Sequence, residues 1–275
     1  MPPLRFGGPV LILLSPAKSL DWSPVPPNTP PASTPELDTD IGVLMRTMKR
    51  KKTADLASLM HLSDNLAELN QARYQQMSGA PDDDDGRPAA LAFNGDVYKG
   101  LSARTLDPAA LTWAQAHVAI LSGLYGVLRP LDRIEPYRLE MGTRLETRRG
   151  ASLYDFWGDK ITRVVNRRLA ELPSEERLVV NLASNEYARV VKLKRLKAPY
   201  ITPVFKELSN GKARVISFFA KKARGMMARA VVEGRFTQAA QLQDFSAGGY
   251  RFDPNGSTDT SWLFTRPKPP PVGAS

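Results

Sequence analysis

The sequence predicts an α/β fold of mixed α+β type, a single domain around one mixed sheet. Three apolar runs have the length of buried strands, at residues 10–14, 117–121 and 178–182. Stretches with apolar residues at helical spacing, such as residues 36–48, lie between them. Alternation of strands with helices is typical of domains in which helices pack on one sheet.

The remaining elements follow from the same periodicities and from turn residues. We expect further strands at residues 91–93, 200–205, 214–217, 250–252 and 262–264, and further helices at residues 53–60, 63–77, 107–116, 153–172 and 218–232. The dipeptide Asn210-Gly211 predicts a hairpin between two of these strands. Asp107 is expected to cap its helix, because the proline that follows it suits the first helical position.

Composition sets the expected domain limits at residues 1–266. A proline-dense stretch at residues 23–35 predicts an irregular connector inside the domain. Residues 79–88 include a run of aspartates whose mutual repulsion predicts a solvated acidic loop, with a metal-binding cluster as the alternative. The proline-rich segment 267–275 is expected to be a disordered tail.

The charge of the chain points to an anionic partner. Its 275 residues carry a formal net charge of +10. Such an excess favours nucleic acid first and an anionic membrane surface second, although it also serves general solubility. No stretch is apolar enough to span a bilayer and no secretory pattern opens the chain. We therefore expect a cytoplasmic monomer without membrane contact.

Several kinds of site are excluded or disfavoured by composition. The absence of cysteine rules out thiolate chemistry and cysteine-ligated metals, and two histidines strongly disfavour a multi-histidine centre, whereas an all-carboxylate magnesium site is not excluded by composition. Neither a P-loop nor a dinucleotide-binding glycine motif is present. We expect no cofactor and no metal site.

The stretch 120–145 has the residues of an anion-binding hairpin. Gly123 and Gly126 allow close approach to the backbone and would expose N–H groups, and four arginines follow them, Arg129, Arg133, Arg138 and Arg144. Guanidinium forks match phosphate geometry. The alternative is a tight strand-to-helix turn followed by solvated arginines.

Polar loops follow several predicted strands, at residues 15–18, 94–99, 184–186 and 206–207, which predicts a shared cleft. Ligands of open α/β sheets lie beyond the carboxyl ends of strands. The expected cleft residues are Lys18, Asn94, Asp96, Ser184, Asn185, Glu186 and Lys206. Among them Asp96, Glu186 and Lys206 are the candidates for catalysis, should the cleft be an active site. Two further basic clusters are candidates for phosphate binding: Lys192, Lys194 and Arg195, and Lys221, Lys222 and Arg224.

Five motifs, in this order, resemble the YaaA family of bacterial proteins. They are Leu14-Ser15-Pro16-Ala17-Lys18, Phe93-Asn94-Gly95-Asp96-Val97-Tyr98, Leu121-Ser122-Gly123-Leu124-Tyr125-Gly126-Val127-Leu128-Arg129-Pro130, Asn181-Leu182-Ala183-Ser184-Asn185-Glu186-Tyr187, and Ile216-Ser217-Phe218-Phe219-Ala220-Lys221-Lys222-Ala223-Arg224-Gly225. The likeness extends over nearly the whole chain.

The resemblance implies a cytoplasmic protein of the peroxide-stress response, one that limits free iron and the DNA damage that iron causes. It also implies DNA binding, an unusual α/β fold with a positively charged cleft, and a helix-hairpin-helix-like element. The best local candidate for that element is residues 121–126, which carry Ser in place of the usual Pro.

Three functional hypotheses result. The leading one is a DNA-binding protein that holds duplex or structured DNA mainly through phosphates. The second is an enzyme acting on a nucleic-acid or nucleotide substrate in the same cleft. The third is an iron-binding protein, which would need oxygen ligands alone and is the weakest of the three.

Overall fold

The computed structural model describes residues 10–82, 85–172 and 177–270. Its strands are β1 (Val10–Leu14), β2 (Ser19–Leu20), β3 (Arg87–Pro88), β4 (Phe93–Asn94), β5 (Val118–Ser122), β6 (Gly126–Leu128), β7 (Arg133–Ile134), β8 (Leu178–Asn181), β9 (Tyr200–Ser209), β10 (Lys212–Arg214), β11 (Arg251–Asp253) and β12 (Ser261–Pro267).

Its helices surround these strands. They are α1 (Asp38–Lys49), α2 (Thr53–Met60), α3 (Asp64–Gln76), α4 (Ala89–Ala92), α5 (Asp96–Leu101), α6 (Pro108–His117), α7 (Leu153–Trp157), α8 (Lys160–Glu171), α9 (Asn185–Val191), α10 (Ser217–Gly234) and α11 (Ala239–Gln243). The predicted mixed α/β class is confirmed.

The main sheet has a parallel centre and antiparallel margins. Its order is β11-β12-β9-β8-β1-β5-β6, and β10 pairs with β9. β1 lies between β8 and β5 and runs parallel to both, with Ile12 opposite Val180 and Val118. Every residue of β1 is buried, because helices cover both faces of a parallel sheet.

The segment predicted to resemble a helix-hairpin-helix is a β-hairpin. β5 and β6 pair antiparallel, with Ser122 opposite Gly126, and the turn between them is buried. A Cβ on Gly123 would lie 2.2 Å from the carbonyl oxygen of Leu139. The turn is therefore packed against the backbone of residues 139–140 and offers no open cradle for a phosphate, which corrects the expectation for Gly123 and Gly126.

Two other predicted elements differ in form. The helix expected over residues 153–172 is divided into α7 and α8, because Gly158 adopts a positive φ of 52° that ends the first helix. The strand expected at residues 91–93 is largely the short helix α4, and the short strand after it pairs with β2 outside the main sheet. β12 extends through Pro267, and residues 271–275 of the predicted tail lie outside the described residues.

The hairpin expected at Asn210-Gly211 is confirmed, although its second strand is residues 212–214 and not the predicted 214–217, since α10 begins at Ser217. β9 and β10 pair antiparallel around Asn210 and Gly211, and β11 pairs antiparallel with β12. β12 is also a neighbour of β9, parallel to it, so that the final pair completes one side of the main sheet.

Candidate functional site

A cavity of about 650 Å³ opens at the carboxyl ends of β1 and β8. We call it the strand-end cavity. Residues 15–19 leave β1 and residues 184–187 leave β8, and the two strands are parallel neighbours, so both loops emerge at the same edge of the sheet. Residues 94–99 and 137–140 complete the walls together with Lys221 and Arg224 of α10.

Ser15 joins three of these wall segments. Its Oγ accepts a hydrogen bond from the backbone N–H of Ser184 at 2.8 Å and lies 3.3 Å from the Ser184 Oγ. The Tyr98 hydroxyl donates to the Ser15 carbonyl at 2.9 Å. Burial raises the pKa of Tyr98, which keeps this phenol protonated as a donor.

Two glycines let α10 reach the cavity. α5 and α10 cross at backbone contact: a Cβ on Gly225 would lie 1.8 Å from the carbonyl oxygen of Val97, and one on Gly100 would lie 2.1 Å from that of Lys222. Larger residues would force the helices apart. The crossing sets Lys221 and Arg224 into the wall beside the loop that carries Asn94 and Asp96.

The wall at residues 137–140 carries an ion-paired cluster. Lys18 Nζ lies 2.8 Å from Glu140 Oε2, and an Arg138 terminal nitrogen lies 3.4 Å from Glu140 Oε1. The Tyr74 hydroxyl donates to the Arg138 carbonyl at 2.5 Å and fixes this backbone. The long distance from Arg138 to Glu140 makes that contact a weak one.

A second cavity of about 750 Å³ adjoins the first. The two share Lys18, Arg138, Glu140 and Glu186, and together form what we call the groove. Glu186 is oriented by the backbone N–H of Gly142, which donates to its Oε1 at 2.8 Å.

The charged side chains of the groove are predominantly cationic. Among the described residues, its lining includes Lys18, Lys99, Arg138, Arg144, Lys221 and Arg224, against Asp96, Glu140 and Glu186. Burial lowers the pKa of Arg224, since a desolvated guanidinium is a less stable cation.

Other predicted phosphate-binding residues lie in ion pairs elsewhere. Arg129 binds Asp132, which is fully buried, with 2.9 Å between a terminal nitrogen and Oδ1. Lys192 and Arg195 both contact Asp159, at 2.5 and 2.6 Å. Arg129 is matched by a carboxylate, and Lys192 and Arg195 share another, so these side chains are held by local contacts and are less able to serve a polyanion.

The remaining predicted residues have other positions. Arg133 donates to the Pro81 carbonyl at 3.2 Å, beside the acidic loop. Lys194 and Asn185 are exposed and outside the groove lining, and Lys222 is exposed next to Lys221 on α10.

Lys206 is also outside the groove lining. Its strand does not end there but continues to Ser209, which carries the side chain along the sheet and away from the carboxyl-end loops. The neighbouring Glu207 is buried against Tyr250 and Arg266.

Lys99 and Arg144 also line the groove, as the loop 94–99 and the arginines of the stretch 120–145 indicated. The sequence did not predict Glu140 and His61 as groove residues. They reach the groove through contacts with residues far away in the chain.

Two further findings concern the described part of the chain. No three histidine, aspartate or glutamate side chains there are grouped so that they could hold a metal ion. Each helix there is also too short or too polar to cross a bilayer.

Comparisons with known proteins show that the sequence matches one family over most of its length. Residues 10–256 match a family model described as "Peroxide stress protein YaaA". A UPF0246 protein of Caulobacter vibrioides is 52% identical over 260 residues, which cover 94% of this chain and 100% of that relative. A UPF0246 protein of Phenylobacterium zucineum is 50% identical over 266 residues, 97% of this chain and 98% of the relative. The matched region includes every element that lines the groove.

Proposed function

The chain belongs to the YaaA family of peroxide stress proteins, and on that basis we propose that it binds DNA in the groove and protects DNA from iron-dependent damage under peroxide. The supporting observation is the excess of cations over carboxylates along a continuous depression of the surface. Lysine and arginine side chains neutralise phosphates without reading sequence, so the proposal concerns the DNA backbone.

The structure changes which residues we propose as phosphate ligands. The groove cations that form no ion pair among the described residues take the place of the hairpin glycines and of the cluster around Lys192; they are Lys99, Arg144, Lys221 and Arg224. The three groove carboxylates moderate the field, so we expect binding that is moderate in strength and strongly dependent on salt.

The test is fluorescence anisotropy of labelled duplex, single-stranded and bubble DNA over a salt series. Each neutralised phosphate on duplex DNA contributes a slope of about −0.9 in log K against log salt. We expect a slope of roughly −3 to −5, from three to five groove contacts. Absence of binding at low salt, or a slope near zero, would overturn the proposal.

A cytoplasmic, monomeric protein fits this proposal. The cytoplasm holds the bacterial chromosome, and one groove per chain suffices for phosphate contacts. Sedimentation with and without duplex DNA checks the oligomeric state: a complex of one chain per short duplex is the expected result, and an obligate dimer would contradict it.

A further inference from the structure

Two arginines of the strand-end cavity have hydrogen-bonding capacity that the protein does not use. Among the described residues, none accepts a hydrogen bond from Arg224 or forms an ion pair with it, although the side chain is half-buried. Arg138, whose side chain is 18% exposed, forms a weak ion pair with Glu140, at 3.4 Å. A partly desolvated cation that lacks a strong counter-ion is unfavourable, so a cavity lined by these two guanidinium groups is suited to an anion.

The cavity also contains groups that an anion alone would not need. Asp96, Glu186 and the amide of Asn94 line the same space and offer hydrogen-bond acceptors. Carboxylates repel a bare polyanion, but they accept hydrogen bonds from hydroxyl and amino groups. The ligand that satisfies both sets has an anionic end and a neutral end rich in donors.

Size narrows the choice further. A volume of about 650 Å³ is that of a small-molecule site. A double helix can lie across its mouth and cannot enter it. A single nucleotide has the required anionic phosphate, sugar hydroxyls and base amino groups, and it fits such a volume.

We propose that the strand-end cavity binds a nucleoside 5′-monophosphate unit, with the phosphate on Arg138, Arg224 and Lys221 and the nucleoside facing Asn94, Asp96 and Glu186. The unit has two sources with the same chemistry, a free mononucleotide and the 5′-phosphorylated end of a DNA strand. This binding does not depend on the DNA-binding proposal, since it needs the cavity and not the length of the groove.

Isothermal titration calorimetry with the common ribo- and deoxyribonucleoside 5′-monophosphates tests the proposal. We expect saturable binding of one molecule per chain for at least one of them. The matching nucleoside and inorganic phosphate should each bind at least about tenfold more weakly, because each lacks one half of the contacts. Heats that do not saturate at millimolar concentration for any nucleotide would overturn the proposal, as would equal affinity for inorganic phosphate.

Variants locate the site. Arg224→Gln should weaken nucleotide binding about tenfold or more, since it removes a charged donor and keeps a side chain of similar length. Lys221→Gln, on an exposed side chain, should weaken it by a smaller factor and guards against a folding defect in the first variant. Arg163→Gln, an exposed cation on α8 outside both cavities, is the matched control and should bind like the wild type. Unchanged affinity in Arg224→Gln and Lys221→Gln would contradict the assignment.

A second pair of probes distinguishes a free mononucleotide from the 5′-phosphorylated end of a strand as the ligand. Short single strands with a 5′-phosphate or a 5′-hydroxyl compete with the bound mononucleotide. Preferential competition by the phosphorylated strand assigns the cavity to strand ends as well as to free nucleotides, and competition by neither strand restricts it to free nucleotides. A blunt duplex with 5′-hydroxyl ends tests the groove alone, so its failure to bind would reject the DNA proposal and leave the nucleotide proposal standing.

Discussion

The groove and the surroundings of buried Asp132 both contain arginine side chains, but only those near Asp132 are held by a buried carboxylate. Asp132, fully buried, accepts hydrogen bonds from the Arg129 backbone N–H at 2.7 Å, from Arg129 Nε at 3.0 Å and from Ser33 Oγ at 2.7 Å. Arg224 has no such acceptor within the described chain, and Arg138 has a weak one, Glu140 at 3.4 Å. The first arrangement stabilises the fold, and the second leaves charge available to a ligand.

This difference explains why net charge is a poor guide to a binding surface. Lysines and arginines are spread along the whole sequence, and many of them neutralise a carboxylate from a distant segment. The groove is set apart by the lack of enough carboxylates to match its cations. Substitutions in one region at a time separate the two roles.

The largest effect is expected at Asp132. Asp132→Ala leaves Arg129 and Ser33 without their buried acceptor, which should lower the free energy of unfolding by about 3–5 kcal/mol. Urea unfolding measures the change. Asp96→Ala, in the groove, is the matched carboxylate and should cost less than about 1 kcal/mol. Equal losses in the two variants would remove the distinction between the two regions.

A smaller effect is expected at the helix crossing. Gly225→Ala introduces a Cβ where the carbonyl oxygen of Val97 lies at 1.8 Å, so α5 and α10 must separate, at a cost of about 1–3 kcal/mol. The displaced Lys221 and Arg224 should also weaken binding of DNA and nucleotide.

Gly42→Ala in α1 provides the control for that variant. Its nearest neighbour would be the flexible Arg46 side chain at 3.3 Å, and alanine favours a helix by up to about 1 kcal/mol. Thermal unfolding should therefore show a neutral or stabilised protein. A Gly225→Ala variant as stable as Gly42→Ala would contradict the close crossing.

Local pattern predicted much of the fold and only part of the site. The apolar run that forms β1 and the Asn210-Gly211 turn are read correctly because their signals are local. The turn after β5 is read incorrectly because its burial depends on Leu139, and the ion pairs of Lys192 and Arg195 depend on Asp159, 33 and 36 residues away. Long-range contacts of this kind decide which cations remain available to a ligand, and the local periodicity of the sequence does not predict such contacts.

The smallest effect concerns Asp40 and is seen in its pH dependence. Burial alone would raise the pKa of Asp40, but hydrogen bonds and charge from Lys160 and Arg149 outweigh it and lower the pKa below 3.8. The carboxylate therefore stabilises the fold above pH 3.8, and this contribution is lost as the pH falls through the lowered pKa.

Asp40→Asn measures that contribution. Since both partners are partly exposed, we expect a loss of about 1 kcal/mol at neutral pH, and the gap to the wild type should close as the pH is lowered below the normal range for aspartate. Asp259→Asn, at an exposed position, should change the unfolding free energy little at any pH. If the difference in unfolding free energy between Asp40→Asn and the wild type grew as the pH fell, the pKa of Asp40 would not be lowered in the folded protein.

The most direct test of the account is the salt dependence of duplex DNA binding in two variants that lose equal charge. Lys221→Gln/Arg144→Gln removes two exposed cations of the groove, and Lys192→Gln/Arg195→Gln removes two cations paired with Asp159. We expect the groove variant to reduce the magnitude of the salt slope by about 1.8, for two lost phosphate contacts, and the ion-pair variant to keep the wild-type slope. Equal reductions in both variants, or a reduction in the ion-pair variant alone, would contradict it.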